Sequence, residues 1–369
     1  MTSGQTANGQ TDAKRIAILI EQIVEDSEFQ IPANALRQAG ANVVVLGSRM
    51  NEAYQGKQGN VSINPDATTT EVLAKEFDAV IIPGGMAPGT MRTNRNTVRF
   101  VQDAIAQQKL VAAICHGPQV LIEGDLVRGR RMTGFKAIRK DLQNAGARVV
   151  DEPLVVDGNL ITSRRPGDLP IFTTAILNRL ELASGSTLPN ETDWDANWWK
   201  LGEAWGGSTK DEIVQGINTA IASARYGFET FEHYAEIATD EEISRVFLDI
   251  CATKQHHIHW LETRLDVLGE RRSRQSIANG TAIQQKMRLQ ANRGDALILR
   301  CALGDLQTGV IDTYKLRNRL TDPTTVAIFD AMEINLAREE QRVVDLYHTR
   351  LVMETIEPPQ PTRQPAVRG

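Results

Sequence analysis

The pattern of apolar and polar positions changes its period once, near residue 210. Ahead of that point, runs at 15–20, 42–47, 77–82 and 110–114, apolar apart from Arg15, Asn42, Gly47 and Asp78, are short, rich in Val and Ile, and bounded by polar or glycine-containing stretches. Such runs read as buried parallel strands. Helices are predicted between them at about 32–39 and 97–108. Shorter strands follow at 148–150, 154–156 and 160–163, the last two joined by the turn Asp157-Gly158-Asn159, and a helix at about 169–182 closes the region. This alternation predicts a doubly wound, flavodoxin-like α/β domain over residues 14–183, whose chemistry would gather at the carboxyl ends of its strands.

From 210 to 356 the period is helical. Ile213, Ile217, Ala220, Ala224, Phe228, Phe231, Ala235 and Ala238 step by three and four. Asp240 can cap a second helix carrying Ile243, Phe247, Ile250, His257 and Leu261. A third helix is predicted at about 282–320, bent near Gly294 or Gly304, and the turn Thr321-Asp322-Pro323 opens a fourth. Four long helices with short turns imply an antiparallel bundle. The intervening stretch 184–209 has linker composition, yet it holds Trp194, Trp198, Trp199 and Trp205, four of the five tryptophans. That apolar area predicts docking onto a domain. Residues 1–13 and the Pro-rich 357–369 are predicted to be disordered.

Composition narrows the setting. Hydrophobic content of 41%, charged content of 24% and a net charge of −5 fit a soluble globular protein without a nucleic-acid partner. Cys115, Cys251 and Cys301 are spaced too widely for a disulfide framework or zinc motif, which favours a reducing compartment. No signal-peptide core and no membrane-length apolar run is present, so a cytoplasmic protein with no membrane partner is expected.

The candidate chemistry lies at Ala113-Ile114-Cys115-His116-Gly117-Pro118-Gln119, where a strand gives way to a helix. Small residues on either side of Cys115 permit the sharp turn of a nucleophile elbow, with sulfur in place of oxygen. The following helix N-terminus would favour a thiolate. A small buried cysteine ending a strand has the same spacing. Only His116, of six histidines, falls in the α/β half, so no distant triad histidine exists there. Glu25-Asp26-Ser27-Glu28, just after the first strand, supplies carboxyl groups at the same strand-end surface.

These residues resemble the ThiJ/PfpI family of the class I glutamine-amidotransferase-like superfamily. The resemblance runs from Arg15 to about Leu182, through the acidic run with Pro32, Ile82-Pro83-Gly84-Gly85, the Cys115 elbow, Val155-Val156-Asp157-Gly158-Asn159, Ser163-Arg164 and Asp168-Leu169. It implies Cys115 as nucleophile, Glu28 as the acid that favours its thiolate, and an oxyanion pocket from the N–H groups of Gly85 and His116. The His116 imidazole would be a base in peptidase-like members, and Glu25 an accessory acid. Two departures stand out: Gly89 occupies the place of an acid that serves the histidine in peptidase-like members, and Phe135 that of a phenol in some relatives.

The helical half resembles ferritin-like four-helix proteins. Glu229 and Glu232 are its candidate acids, but no histidine of His256-His257-Ile258-His259 has a glutamate three residues before it. No metal and no cofactor is expected, His257 is assigned to the core, and the bundle is assigned to homo-oligomerisation or partner binding. The expected function is a cysteine-dependent stress-response enzyme acting on small reactive carbonyl substrates (glyoxalase- or deglycase-like) or acyl substrates. A cysteine peptidase-like hydrolase and a non-catalytic redox sensor or chaperone-like protein are the alternatives.

Overall fold

The computed structural model describes residues 13–183, 188–271 and 294–356, with side chains to 350. The expectations for 1–12, 357–369 and the first part of the third bundle helix lie outside these residues. The chain forms two compact units: one runs to Ile213 and includes Asn318–Val326, the other comprises Val214–Arg317 and the residues from Ala327 onward.

The first unit opens with β1 (Arg15–Leu19), α1 (Asp26–Gln38) and β2 (Asn42–Gly47). Three two-residue strands follow: β3 (Tyr54–Gln55), β4 (Ser62–Ile63) and β5 (Ala67–Thr68). Next come β6 (Ala79–Ile82), α2 (Ala87–Met91), α3 (Arg95–Ala106), β7 (Leu110–Ile114) and α4 (Pro118–Glu123). The chain continues through β8 (Arg131–Met132), α5 (Arg139–Asn144), β9 (Arg148–Val149), β10 (Leu154–Asp157), β11 (Leu160–Ser163), α6 (Leu169–Arg179) and α7 (Trp198–Ala204).

Seven strands form one sheet in the order β10-β11-β7-β6-β1-β2-β5. Every pairing in it is parallel except β10 with β11. The apolar runs are its centre: Ile16, Ala17 and Ile18 of β1, Val80 and Ile81 of β6, and Ala112 and Ala113 of β7 are fully buried. Helices cover the sheet, which is why its strands read as continuous rather than alternating.

Some boundaries differ from the pattern. Helix α1 begins at Asp26, not near Pro32, and Pro32 lies inside it. A proline removes one helical hydrogen bond, but burial of Phe29, Ile31 and Leu36 holds the turn in place. Helix α3 starts at Arg95 because Asn94 caps it, accepting from Asn96 N–H at 2.9 Å and Thr97 N–H at 3.4 Å. Helix α6 ends at Arg179, short of residue 182. The segment at 148–150 pairs with β8 in a separate small sheet.

The tryptophan-rich stretch belongs to the first unit. Trp198 and Trp205 are buried, and Trp198 Nε1 donates to the Asp193 carbonyl at 2.7 Å. Asn34 Nδ2 donates to the Trp205 carbonyl at 3.0 Å, tying the stretch to α1. Ser208 and Thr321 exchange reciprocal bonds, each backbone N–H donating to the other's hydroxyl at 2.7 and 3.1 Å.

The helical half contains α8 (Lys210–Ile237), α9 (Glu241–Val267), α10 (Asp295–Arg319) and α11 (Pro323–Ile356). Asp240 caps α9, accepting from the N–H groups of Glu242 and Ile243. Phe231, Phe247, Leu299, Leu306, Leu336 and Val343 form the core of the second unit. Helix α10 begins directly after Gly294, which has φ +76°, and runs through Gly304 without interruption. No described helix is long and apolar enough to cross a membrane.

Candidate functional site

Adjacent strands β1, β6 and β7 end side by side, and each carboxyl end delivers part of the site. After β7, Cys115 adopts φ +60°, a left-handed conformation rare for a residue with a side chain. Its N–H donates to the Ser163 carbonyl at 3.1 Å, and its carbonyl accepts from Phe135 N–H at 2.9 Å, so both backbone neighbours hold the corner. Helix α4 begins three residues later, at Pro118. After β6, Gly84 leaves room for a close meeting: a Cβ there would lie 2.5 Å from Glu28 Oε2 and 2.7 Å from Cys115 Cβ. After β1, helix α1 brings Glu28 inward, fully buried, where Gly84 N–H donates to its Oε2 at 2.7 Å.

Cys115 Sγ lies 3.3 Å from His116 Nδ1. The imidazole ring leans on Phe135, with ring centroids 4.8 Å apart. No backbone carbonyl accepts from the N–H of Gly85 or His116 among the described residues, and the Gly85 N–H is directed at the sulfur. The geometry therefore brings together Cys115, His116, Glu28 and Gly85, all four from separate sequence motifs or neighbours within one.

Electrostatics give these groups unusual protonation. Burial, assisted by the charge of Glu25, raises the Glu28 carboxyl to about 8 against the Gly84 N–H and the Cys115 thiol, which pull it down. Burial and then the Glu28 charge push the Cys115 thiol up, more than the Gly85 N–H lowers it. Burial thus opposes the thiolate that a helix N-terminus would favour. Burial, then the Lys57 ammonium, lowers His116 and keeps its ring neutral near pH 7. Burial, the largest cause at all three groups, favours a thiol, a neutral imidazole and a protonated carboxyl.

Glu25 forms an ion pair with Lys57 Nζ at 3.1 Å, and both charges act on Glu28, in opposite directions. Lys57 was not marked by any sequence pattern. Burial pulls its ammonium down, but Glu25, Cys115 and Glu28 together raise it. Asp26 places it: the Asp26 carboxylate accepts from the N–H groups of Gln58 at 2.7 Å, Asn60 at 2.7 Å and Val61 at 2.9 Å, fastening the β3–β4 turn beside α1. The one signal for this was an acidic residue at the helix start. Gly89 is exposed, and a Cβ there would meet nothing within 4 Å.

Among the described residues, the candidate acids and histidines of the bundle do not form a di-iron centre. Glu229 and Glu232 are exposed, as are His256 and His259. The interior instead holds His257, whose Nε2 accepts from Asn335 Nδ2 at 3.2 Å, Tyr234 donating to Asp305 at 2.8 Å, and the buried Lys254. Among the described residues no group of three or more His, Cys, Asp or Glu is arranged to hold a metal ion.

A parallel sheet with a cysteine corner, a buried acid and a glycine turn at three neighbouring strand ends defines a class, and comparison with known proteins agrees. The DJ-1/PfpI family model matches residues 14–179, and the chain belongs to the DJ-1/PfpI family. Over 169 residues it is 43% identical to protein/nucleic acid deglycase 2 of Escherichia coli (strain K12), covering 46% of this chain and 98% of that protein. General stress protein 18 of Bacillus subtilis (strain 168) is 41% identical over 169 residues, with the same 46% and 98% coverage. A crystal structure of a two-domain protein containing DJ-1/ThiJ/PfpI-like and ferritin-like domains, from Anabaena variabilis, is similar with a TM-score of 0.86 at 56% identity. It covers 96% of this chain and 100% of that one. The α/β domain is thus followed here by a ferritin-like helical domain.

Proposed function

We propose that the α/β domain is a cysteine-dependent enzyme acting on small reactive carbonyl compounds, with Cys115 as nucleophile. The observation that carries this reading is the Sγ to Nδ1 distance of 3.3 Å between a buried thiol and an imidazole kept neutral. A neutral ring can accept the thiol proton as sulfur attacks, so the thiolate exists only during the reaction. The carbonyl π electrons move to oxygen, and that charge falls to the His116 N–H and to the Gly85 N–H, which points at the sulfur at rest. Glu28, protonated to about 8, is a proton donor beside the developing adduct. For an α-oxoaldehyde, shift of one proton between the two carbons and hydrolysis of the resulting thioester yield a 2-hydroxy acid. No oxidant is consumed.

Similarity to a protein/nucleic acid deglycase and to a general stress protein supports carbonyl chemistry in stress defence. Peptide cleavage is less well served, because Gly89 offers no carboxylate to orient His116. A peroxide sensor needs a standing thiolate, and burial opposes one here. Cytoplasmic location, a small carbonyl or acyl substrate and homo-oligomerisation through the bundle complete the proposal.

The test compares wild type, Cys115→Ala and Glu28→Gln with methylglyoxal and with casein, alongside intact mass after mild peroxide. Methylglyoxal turnover lost in both variants supports the enzyme. Absence of turnover in wild type, with ready sulfinic acid formation at Cys115, sinks it in favour of the sensor.

A further inference from the structure

Ile23, in the turn between β1 and α1, lies in the left-handed region at φ +61°. A β-branched side chain is strained there. Burial does not offset the strain, since Ile23 is 49% exposed. Its backbone is fully engaged: the N–H donates to the Gln55 carbonyl at 2.8 Å, and the carbonyl accepts from Met86 N–H at 2.9 Å. These two bonds stitch the turn to the β3–β4 hairpin on one side and to the glycine turn after β6 on the other. Glycine would make both without strain. About half of the isoleucine is left in solvent by its own fold.

Met86 follows Gly85 directly and is 65% exposed. Ile23 and Met86 are thus two large, exposed apolar residues bonded through their backbones, and Met86 is next in sequence to Gly85, whose N–H addresses the Cys115 sulfur. We infer that Ile23 is a specificity-determining residue: with Met86 it forms an apolar lip that receives the alkyl or aryl group of the carbonyl compound attacked by Cys115. This rests on the reading of Cys115 as nucleophile. A single methyl on the carbonyl covers little of that surface, whereas a branched chain removes much of it from water. Cys115 itself shares the left-handed conformation at φ +60°, and the Ile23 turn is bonded to both the hairpin and the glycine turn that meets the sulfur.

Full-length wild type, Ile23→Gly and Ile23→Asn are compared with methylglyoxal and isobutylglyoxal. Glycine and asparagine both accept the left-handed conformation, so folding is not at stake. Wild type is expected to favour isobutylglyoxal, and the kcat/KM ratio of the two substrates to fall about fivefold or more in both variants, through the KM of isobutylglyoxal. An unaltered ratio, or an equal loss of kcat for both substrates, overturns the lip. If wild type turns over neither compound, the enzyme reading fails and the lip is read separately from protection of Cys115 against iodoacetamide, followed by intact mass. Stronger protection by isobutylglyoxal that disappears in both variants supports it; equal protection by the two aldehydes overturns it.

Discussion

Two of the places where the described residues bury titratable groups, the Cys115 corner and the bundle interior, behave differently. At the corner, burial shifts Glu28, Cys115 and His116, Glu28 and Cys115 also act on each other, and Lys57 acts on His116. Each is within reach of a neighbour that could take or give its proton. In the bundle, Lys254 is pulled down to about 8 and His257 to about 3, chiefly by burial. Yet His257 rests on Asn335, and Lys254 lies over Gly227, where a Cβ would sit 3.0 Å from its Cε. The corner converges on one sulfur; the bundle groups converge on nothing reactive. A perturbed proton equilibrium marks burial, and only its combination with convergent geometry marks a reaction.

The largest separation between the two places is expected in turnover. His116→Ala should lower methylglyoxal kcat by about 10²- to 10⁴-fold, while His257→Ala leaves kcat within about twofold and lowers the melting temperature, because it opens a cavity in the bundle core. Steady-state rates and thermal melts of the two variants check this. Comparable rate losses in both would erase the distinction between corner and bundle.

Next comes the pH dependence of stability at Glu28. The folded carboxyl titrates near 8 against an ordinary value of 4.5. Between those limits the folded state binds more protons than the unfolded state. Its favourable contribution is therefore complete below 4.5 and is lost as pH rises through 8, an effect on the order of 5 kcal/mol. Glu28→Gln should match wild type near pH 4 and exceed it in denaturant stability near pH 9, while turning over methylglyoxal more slowly. A variant that loses stability at pH 9 would show that the carboxyl is held ionised.

Lys254 gives the reverse slope and a smaller effect. Its folded value of about 8 lies below the ordinary 10.5, so between these limits the unfolded state binds more protons and stability rises with pH. The burial of this ammonium costs about 3 kcal/mol at neutral pH. Lys254→Met should raise the melting temperature at pH 7.5 and abolish the gain between pH 8 and 10.5, with methylglyoxal turnover unaffected. A lower melting temperature at pH 7.5 would mean that Asp305 and Glu339 satisfy the charge after all.

The sheet was legible in the sequence because burial on both faces leaves unbroken apolar runs, and the bundle because a one-sided stripe repeats every three or four residues. The elbow was legible from the small residues around Cys115. Glu28 was reachable only through family resemblance, since nothing in Glu25-Asp26-Ser27-Glu28 says which acid turns inward; the structure gives Glu25 to Lys57, Asp26 to three backbone N–H groups, and Glu28 to the glycine turn. Pro32 hid the start of α1, because local propensity argues against a helix that tertiary burial sustains. The resting thiol was also hidden. The depth of Cys115 depends on Phe135, Ser163 and Gly84, all distant in sequence.

Lys57 was the least legible residue, a lone lysine in a polar turn, and it carries the smallest prediction. Burial lowers the His116 value first and the Lys57 ammonium lowers it further. Removing that charge therefore raises the His116 value, so the base is protonated at a higher pH and the acid limb of the rate profile moves upward. Lys57 is half exposed, with a side-chain exposure of 51%, so solvent screens much of its influence. Lys57→Met should accordingly lower methylglyoxal kcat/KM about twofold near pH 5.5 and leave it close to wild type at pH 7.5. Lys254→Met, which removes an ammonium from the bundle interior, should leave the same limb in place. If both substitutions shift it equally, the effect belongs to the net charge of the protein and not to the β3–β4 turn that Asp26 fastens beside the site.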